Sequence, residues 1–431
     1  MKYLSIPSTL FIENRKRFAK QLKSNSLAVF NSNDIMPTNA DGSMAFIQNS
    51  DLFYLSGIDQ EESILLIYPE AKDTSQREIL FLRETNSTIA VWEGHKYTKE
   101  EATQTSGIKT VYWLSQFETV FAALMAECEH VYLNSNEHAR AHVVVETRDA
   151  RFIKECKNKF PLHEYERAAP IMQDLRAIKS AEEVKLIQQA CNITEKGFRR
   201  LLPFIKPGVW EYEIEAELTH EFIRNRSRGF AYGPIIASGL NACVLHYVDN
   251  NKQCKSGEVI LMDVAAEYAN YASDMTRAVP VSGKFTKRQK EVYNSVLHVM
   301  RGAMKMLKVG NNITDYHKAV GVLMEEQLIK LGLLKAADVK KQKPENPLYK
   351  KYCMHGISHF MGLDVHDIGN KHRKFEAGMV FTCEPGFYIP EENLGIRLED
   401  DVLITAKGPV NLMANIPIEA DEIEALMAAK K

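Results

Sequence analysis

Glu258–Val264 reads EVILMDV, and the next run of the same character, Ser273–Val281, reads SDMTRAVPV. Both are apolar and rich in β-branched residues, the composition of a buried strand. Each nevertheless carries an aspartate, Asp263 in the first and Asp274 in the second. Side chains alternate faces along a strand, so Asp263 shares a face with Val259 and Leu261. A tight turn centred on Tyr268 and Ala269 places position 263 opposite position 274, and residues opposed in this way point to the same side of a hairpin. Two carboxylates on an apolar face lose solvation and repel each other, so they require a shared proton or a shared cation. The other reading is a wet hairpin whose acids face solvent.

A second stretch repeats the anomaly. Met379–Glu384 (MVFTCE) predicts a strand ending in Glu384, ahead of Pro385 and Gly386. Gly395–Thr405 (GIRLEDDVLIT) predicts another, with Arg397 and Glu399 on one face and Ile396 and Leu398 on the other. Cys353–Gly369 (CMHGISHFMGLDVHDIG) brings His355, His359 and His366 close together. Its H-x3-H spacing matches a helical zinc-protease motif, but position 356 is Gly where that motif needs a catalytic Glu. Gly356, Ser358 and Gly362 also weaken a helix there, so the zinc-protease reading fails. His372 is expected at the surface, and Asp364 and Asp367 are expected to face solvent or to support the histidines. His246 stands alone ahead of the Asp263 strand.

Taken together, these pieces propose Asp263, Asp274, His359, Glu384 and Glu399 as metal ligands. Four carboxylates are balanced by two divalent cations, with the histidine adding a neutral nitrogen. An oxygen-dominated set without thiolate favours Mn²⁺ over structural zinc, although Co²⁺ or Zn²⁺ fits the same donors. Two such ions about 3.5–4 Å apart deprotonate a shared water at neutral pH, which is hydrolytic chemistry.

The rest of the chain sets the frame. At 431 residues it is long enough for two or three domains, and 45% hydrophobic with 26% charged residues excludes a disordered chain. A net charge of −2 without a basic block argues against nucleic-acid binding. No apolar run approaches the ~20 residues of a membrane span, and no cleavage site of small residues follows the N-terminal apolar stretch. Seven cysteines without a CxxC pair fit free thiols in a reducing cytoplasm. Ser26–Asn31, Ser63–Tyr68, Glu78–Leu82 and Val131–Leu133 read as buried strands alternating with helices, which predicts an α/β domain over residues 1–170. A boundary is expected near 165–180, where Glu164–Pro170 is polar and ends in proline, after which Ser180 and Glu183 form a capping box opening a helix. Residues 171–431 form the second domain, with helices over Trp210–Arg224, Lys287–Lys308 and Thr314–Leu331. No G-x-G-x-x-G or P-loop pattern supports nucleotide binding.

The segments LMDVAAEYANYASDMTRAVPVSGKFT, MHGISHFMGLDVHDIG, FTCEPGFYI and GIRLEDDVLIT resemble those of the pita-bread metallopeptidases, and most of all the aminopeptidase P group. NSDLFYLSGIDQEESILLIYP is similar to that group's creatinase-like N-terminal domain. The resemblance covers nearly the whole chain. It implies an α/β N-terminal domain followed by an α+β pita-bread catalytic domain, and removal of an N-terminal residue that precedes proline. It also implies that the five ligands hold two divalent ions, usually Mn²⁺, whose bridging hydroxide attacks the scissile carbonyl. Glu384 would then shuttle the proton to the leaving proline nitrogen, while His246 and His366 hydrogen-bond the substrate carbonyls and the oxyanion. His355, Arg397 and Tyr388 would line the pocket around the proline ring, with Arg397 supporting Glu399. Peptides with proline second would be the partners, and the chain would form a homodimer or homotetramer.

Other readings lie close by. A prolidase, which cleaves only Xaa-Pro dipeptides, uses the same metal site. Methionine aminopeptidases fit the extra N-terminal domain poorly, and creatinase shares the fold without metal. A non-catalytic peptide-binding member of the fold would have lost ligands that this sequence keeps.

Overall fold

The structure, a computed structural model, describes residues 2–141 and 143–429. The chain divides into two compact units, one spanning residues 3–175 and the other beginning at Arg176.

The first unit is built on a six-stranded mixed sheet of β1 (Ser26–Asn31), β2 (Ile64–Ile67), β3 (Glu78–Leu82), β4 (Thr110–Trp113), β5 (His130–Leu133) and β6 (Glu164–Arg167), in the order β4-β3-β2-β1-β5-β6. All six residues of β1 are buried, which explains why it reads as a continuous apolar run. Leu27 and Val29 join Phe117 and Phe121 in one core cluster, while Phe30, of opposite parity, meets Phe18 edge-on at 5.2 Å. Glu164–Pro170, the polar stretch within the expected boundary region, forms the edge strand β6 followed by the start of the helix Ala169–Ala177. Tyr165 packs inward while Glu164 is exposed, the alternation of a strand with one wet face. Pro170 is tolerated because the first helical turn needs no backbone donor.

In the second unit, Ser180 caps the helix Ala181–Leu201 through the expected reciprocal bonds with Glu183. Further helices cover Glu211–Arg224, Lys287–Met304 and Ile313–Lys330. They enclose short sheets rather than one continuous layer. The first contains β7 (Ile235–Ser238), β8 (Val259–Asp263) and β11 (Thr276–Pro280), in the order β11-β8-β7. Between β8 and β11 lies the tip hairpin of β9 (Glu267–Tyr268) and β10 (Tyr271–Ala272). Its two central residues, Ala269 and Asn270, have φ of 53° and 68°, the left-handed pair that matches a two-residue turn to strand twist.

That turn corrects the register expected from sequence. Its centre falls one residue later than Tyr268–Ala269, so Asp263 pairs with Thr276 rather than Asp274. Moving the centre by one residue moves the partner by two, which preserves facing. The run Gly395–Thr405 is also not one strand. β14 (Leu394–Arg397) pairs with β13 (Gly386–Ile389), whereas β15 (Asp400–Thr405) pairs with β12 (Val380–Cys383) and β16 (Gly408–Asn411). The break at Leu398 and Glu399 arises where the Glu399 amide donates to the Thr276 carbonyl at 3.1 Å, tying the chain to β11. Among the described residues no helix is long and apolar enough to cross a membrane. All seven cysteines are free.

Candidate metal centre

Five segments deliver the acids and the histidine to one buried cluster. Asp263 closes β8, Asp274 precedes β11, Glu384 follows β12 and Glu399 occupies the break between β14 and β15. His359 lies in a non-helical segment held against β12: Thr382 N donates to the His359 carbonyl at 3.0 Å, and His359 N donates to Thr382 Oγ1 at 3.1 Å. The His359 ring bonds through Nδ1 to the Phe360 carbonyl at 3.0 Å. This leaves Nε2 facing Asp274 Oδ2 at 3.4 Å and Glu384 Oε1 at 3.6 Å. A histidine whose second nitrogen is anchored on a carbonyl has the orientation of a metal ligand.

Arg397 and Thr276 knit the other side. Arg397 Nη2 donates to Asp263 Oδ2 at 2.6 Å and Nε to Thr276 Oγ1 at 3.0 Å; the Thr276 hydroxyl donates onward to Glu399 Oε2 at 2.7 Å. Arg397 therefore pairs directly with Asp263 and reaches Glu399 through Thr276. Its Nη1 donates to the Tyr388 hydroxyl at 2.7 Å, and that hydroxyl bonds His355 Nε2 at 2.8 Å. His366 stacks on His359, centroids 4.1 Å apart and planes 17° from parallel. His246 occupies an exposed turn after the 3-10 helix Gly239–Cys243, close enough for its charge to disfavour protonation of His355. His372 is exposed, as expected. Asp367 is not solvent-facing: it is buried between Arg176 and Lys179.

The electrostatics are those of carboxylates short of positive charge. Burial, opposed by Arg397 and reinforced by Asp274, raises Asp263 above its ordinary range. Burial, with Asp274 and Glu384 adding repulsion, pushes Glu399 well above it. The Glu384 carboxyl is pushed up to about 7 by burial, against the pull of His359. For His359 burial works against the charged form, yet the bond to Asp274 and the charge of Glu384 raise it to about 9. Burial together with Arg397 lowers His355 to about 4, so it is neutral at pH 7. These carboxylates need more positive charge than Arg397 and His359 supply, and divalent cations fit that deficit. Ligand atoms of Asp274, His359 and Glu399 lie within 4.8 Å of one another, close enough to share an ion. The thiol of Cys383 turns away to the Met300 carbonyl and the Tyr316 hydroxyl, leaving an oxygen-rich donor set. A second group, His130, Glu164 and Glu166 on the sheet of the first unit, already has the Lys23 ammonium on Glu166.

Three participants escaped the sequence reading. Tyr232 donates to Asp263 Oδ1 at 2.6 Å, Thr276 links Arg397 to Glu399, and Asp401 Oδ2 accepts from the Asp274 amide at 3.0 Å. Thr276 shares parity with Asp274, and Asp401 with Arg397 and Glu399, so strand alternation carried a signal for both. Tyr232 had none, since only folding brings it to Asp263.

Known proteins resemble this chain over nearly its whole length. Residues 185–406 match metallopeptidase family M24, and residues 11–132 match the aminopeptidase P N-terminal domain. Xaa-Pro aminopeptidase of Escherichia coli K12 is 33% identical over 98% of this chain and 98% of its own. Xaa-Pro aminopeptidase 3 of Homo sapiens is 31% identical over 92% of this chain and 78% of its own. The solved structure of E. coli aminopeptidase P with the inhibitor Pro-Leu is similar at a TM-score of 0.88 and 32% identity, covering 98% of this chain and 99% of that one. A zinc-substituted E. coli aminopeptidase P in complex with product gives 0.87 at 32% identity, over 99% of this chain and 100% of that one. The fold is thus the expected one, an aminopeptidase P N-terminal domain followed by a pita-bread catalytic unit. By both sequence and structure the chain belongs to metallopeptidase family M24, as an enzyme of the Xaa-Pro aminopeptidase kind.

Proposed function

We propose that this enzyme removes the N-terminal residue from peptides whose second residue is proline, with Asp263, Asp274, His359, Glu384 and Glu399 holding two divalent ions, Mn²⁺ by preference. The observation that carries the reading is the buried cluster of four carboxylates and one anchored histidine, adjoined by the Arg397–Tyr388–His355 chain. When bound, the ions supply a water deprotonated at neutral pH as the nucleophile. Glu384, at the edge of the cluster beside His359, takes a proton there and passes it to the departing proline nitrogen. His246 and His366 hydrogen-bond the substrate carbonyls and the developing oxyanion. Tyr388 is fully buried with its hydroxyl committed to Arg397 and His355, so it shapes the proline pocket from behind while neutral His355 faces it.

The scissile bond explains the need for such a pocket. An Xaa-Pro amide has no N–H to offer, so recognition falls on the ring and the carbonyls. Its cis and trans forms interchange slowly, and the site selects trans.

The test compares release of the N-terminal residue from Xaa-Pro-Yaa, Xaa-Ala-Yaa and Xaa-Pro by Mn²⁺-loaded protein, with Glu384→Ala as control. Cleavage of the proline tripeptide, lost in the control, supports the proposal. Turnover of the dipeptide alone replaces it with a prolidase, and no turnover with any metal replaces it with a non-catalytic peptide binder.

The proposal extends to assembly and location. The segments after β1, β3 and β5, three mutually parallel strands, leave one end of the sheet. They expose Ile47 (65%), Trp92 (85%) and Val144 (86%), apolar area that supports a homodimer or homotetramer. Sedimentation of the wild type and of Trp92→Ser tests this: a wild-type monomer defeats it. Free cysteines support a cytoplasmic location.

A further inference from the structure

The turn that carries His246 is clasped from beneath by a carboxylate outside the metal cluster. Glu211 opens the helix Glu211–Arg224 and is fully buried. Its Oε1 accepts from Ser238 N and Ser238 Oγ, both at 2.8 Å. Its Oε2 accepts from the Tyr247 hydroxyl at 2.8 Å and from Lys252 N at 2.9 Å. These donors bracket the segment between Ser238 and Lys252, and Tyr247 is the residue immediately after His246. One helical turn on, Glu215 accepts from Asn250 Nδ2 at 2.9 Å, while Asn250 Oδ1 accepts from Ile236 N at 3.0 Å. The far side of the same segment is pressed against β14. A Cβ on Gly395 would lie 2.2 Å from the Ala242 carbonyl oxygen, so nothing larger than glycine fits. Tyr247 also packs in one apolar cluster with Tyr388, whose hydroxyl bonds His355.

We propose that Glu211 is the positioning residue for His246: by gathering both ends of the segment onto one carboxylate, it fixes the imidazole beside the Tyr388–His355 arm of the substrate pocket. The inference rests on the reading of His246 as a substrate-contacting group. Its chemistry is specific to a group with two acceptor oxygens. Two of the four donors are backbone N–H groups, one on each oxygen, and these cannot reverse. A glutamine has one oxygen and one NH₂, so either orientation faces a backbone N–H with another donor and leaves it buried without an acceptor. General stabilisation of the fold by Glu211 would instead lower activity equally whether or not His246 is present.

Steady-state hydrolysis of Xaa-Pro-Yaa is measured for wild type, Glu211→Gln, His246→Ala and the double variant, all Mn²⁺-loaded with metal content assayed. Glu211→Gln is expected to lower kcat/KM roughly ten- to hundredfold, the scale of one orphaned buried donor, with metal content unchanged. In the His246→Ala background the same change is expected to cost less than about twofold, because residues acting as a unit are not additive. Amide exchange over residues 239–252 is expected to accelerate in Glu211→Gln. A full loss repeated in the His246→Ala background overturns the proposal, as does wild-type turnover by Glu211→Gln. If His246→Ala itself turns over normally, the functional reading of His246 fails instead. The clasp is then judged by exchange alone, faster exchange supporting it and wild-type exchange overturning it. Tyr247→Phe, which removes one of the four bonds, serves if Glu211→Gln does not fold, with a smaller effect in the same direction.

Discussion

Replacing Asp367 by alanine takes the buried carboxylate from two buried cations, Arg176, which keeps Asp364, and Lys179. Asp367 Oδ1 accepts from Arg176 and its Oδ2 from Lys179 Nζ at 3.1 Å, and all three side chains are at most 3% exposed. Burial resists ionisation of this carboxyl, yet Arg176 and Lys179 hold it below its ordinary range. Removing one partner of a buried pair costs about 3–5 kcal/mol, because the charges left behind have lost water without recovering a counterion. The same Arg176 also donates to Asp364 at 2.6 Å, but the Asp364 side chain is 47% exposed, so Asp364→Ala should cost less than about 1 kcal/mol. The pair forms an internal control in which one arginine loses either a buried or a wet partner. The Asp367 side chain further ties the histidine segment together, since its Oδ1 accepts from the Ile368 amide at 2.9 Å. Urea denaturation of the metal-free variants, with amide exchange to report on residues 357–368, measures both effects. An Asp367→Ala protein within about 1 kcal/mol of wild type, or equal losses for the two variants, would refute the reasoning.

Other expectations can be checked as directly. Burial, opposed by the Asn31 bond, pushes the Asp149 carboxyl of the first unit up to about 7. Below pH 4 both folded and unfolded chains hold that proton; between pH 4 and 7 only the unfolded chain releases it, so the folded state loses up to roughly 4 kcal/mol as pH rises. Asp149→Asn should therefore stabilise the protein at pH 8 and not at pH 4, in urea denaturation at the two values; equal shifts would contradict the assignment. Metal binding must displace protons from His359, near 9, and from Glu384, near 7. Calorimetry in buffers of different ionisation enthalpy should show proton release and affinity rising from pH 6 to 8; no release would count against this donor set. Thr276→Val keeps the shape but removes the bond from Thr276 to Glu399 and leaves Arg397 Nε without that acceptor; metal affinity should fall about 10- to 100-fold by equilibrium dialysis.

Much of the candidate site was legible because strand alternation is a strong local signal. An acid on an apolar strand declares its face without any knowledge of the fold, and Asp263, Glu384 and Glu399 were found that way. Register was less legible. Ala269 adopts a left-handed conformation that alanine disfavours, so composition gave no reason to centre the turn there, although Asn270 beside it accepts that region readily. The break at Leu398–Glu399 could not be read locally, because a contact with Thr276 imposes it on a sequence that otherwise continues as a strand. The solvent-facing alternative for Asp367 stood open for the same reason: the two cations that permit its burial lie far away in sequence, at Arg176 and Lys179. The edge strand Glu164–Arg167 was hidden by its charge, which suits a half-wet strand as well as a linker.

The tie between Glu399 and Thr276 bears on how the protein is made. The five proposed donors are strung along the chain from residue 263 to residue 399, and the last of them docks on the strand that follows the first two. During synthesis the Asp263–Asp274 pair leaves the ribosome long before Glu399 exists, so the nascent chain carries two acids that no third carboxylate yet helps to bridge. The proposed ion-binding pocket is completed only as the Glu399 segment docks on β11. A nascent chain stalled before residue 399 would keep the hairpin acids exposed to water and unable to compete for scarce metal. With the proposed donor set, loading would wait for chains that have finished their catalytic domain.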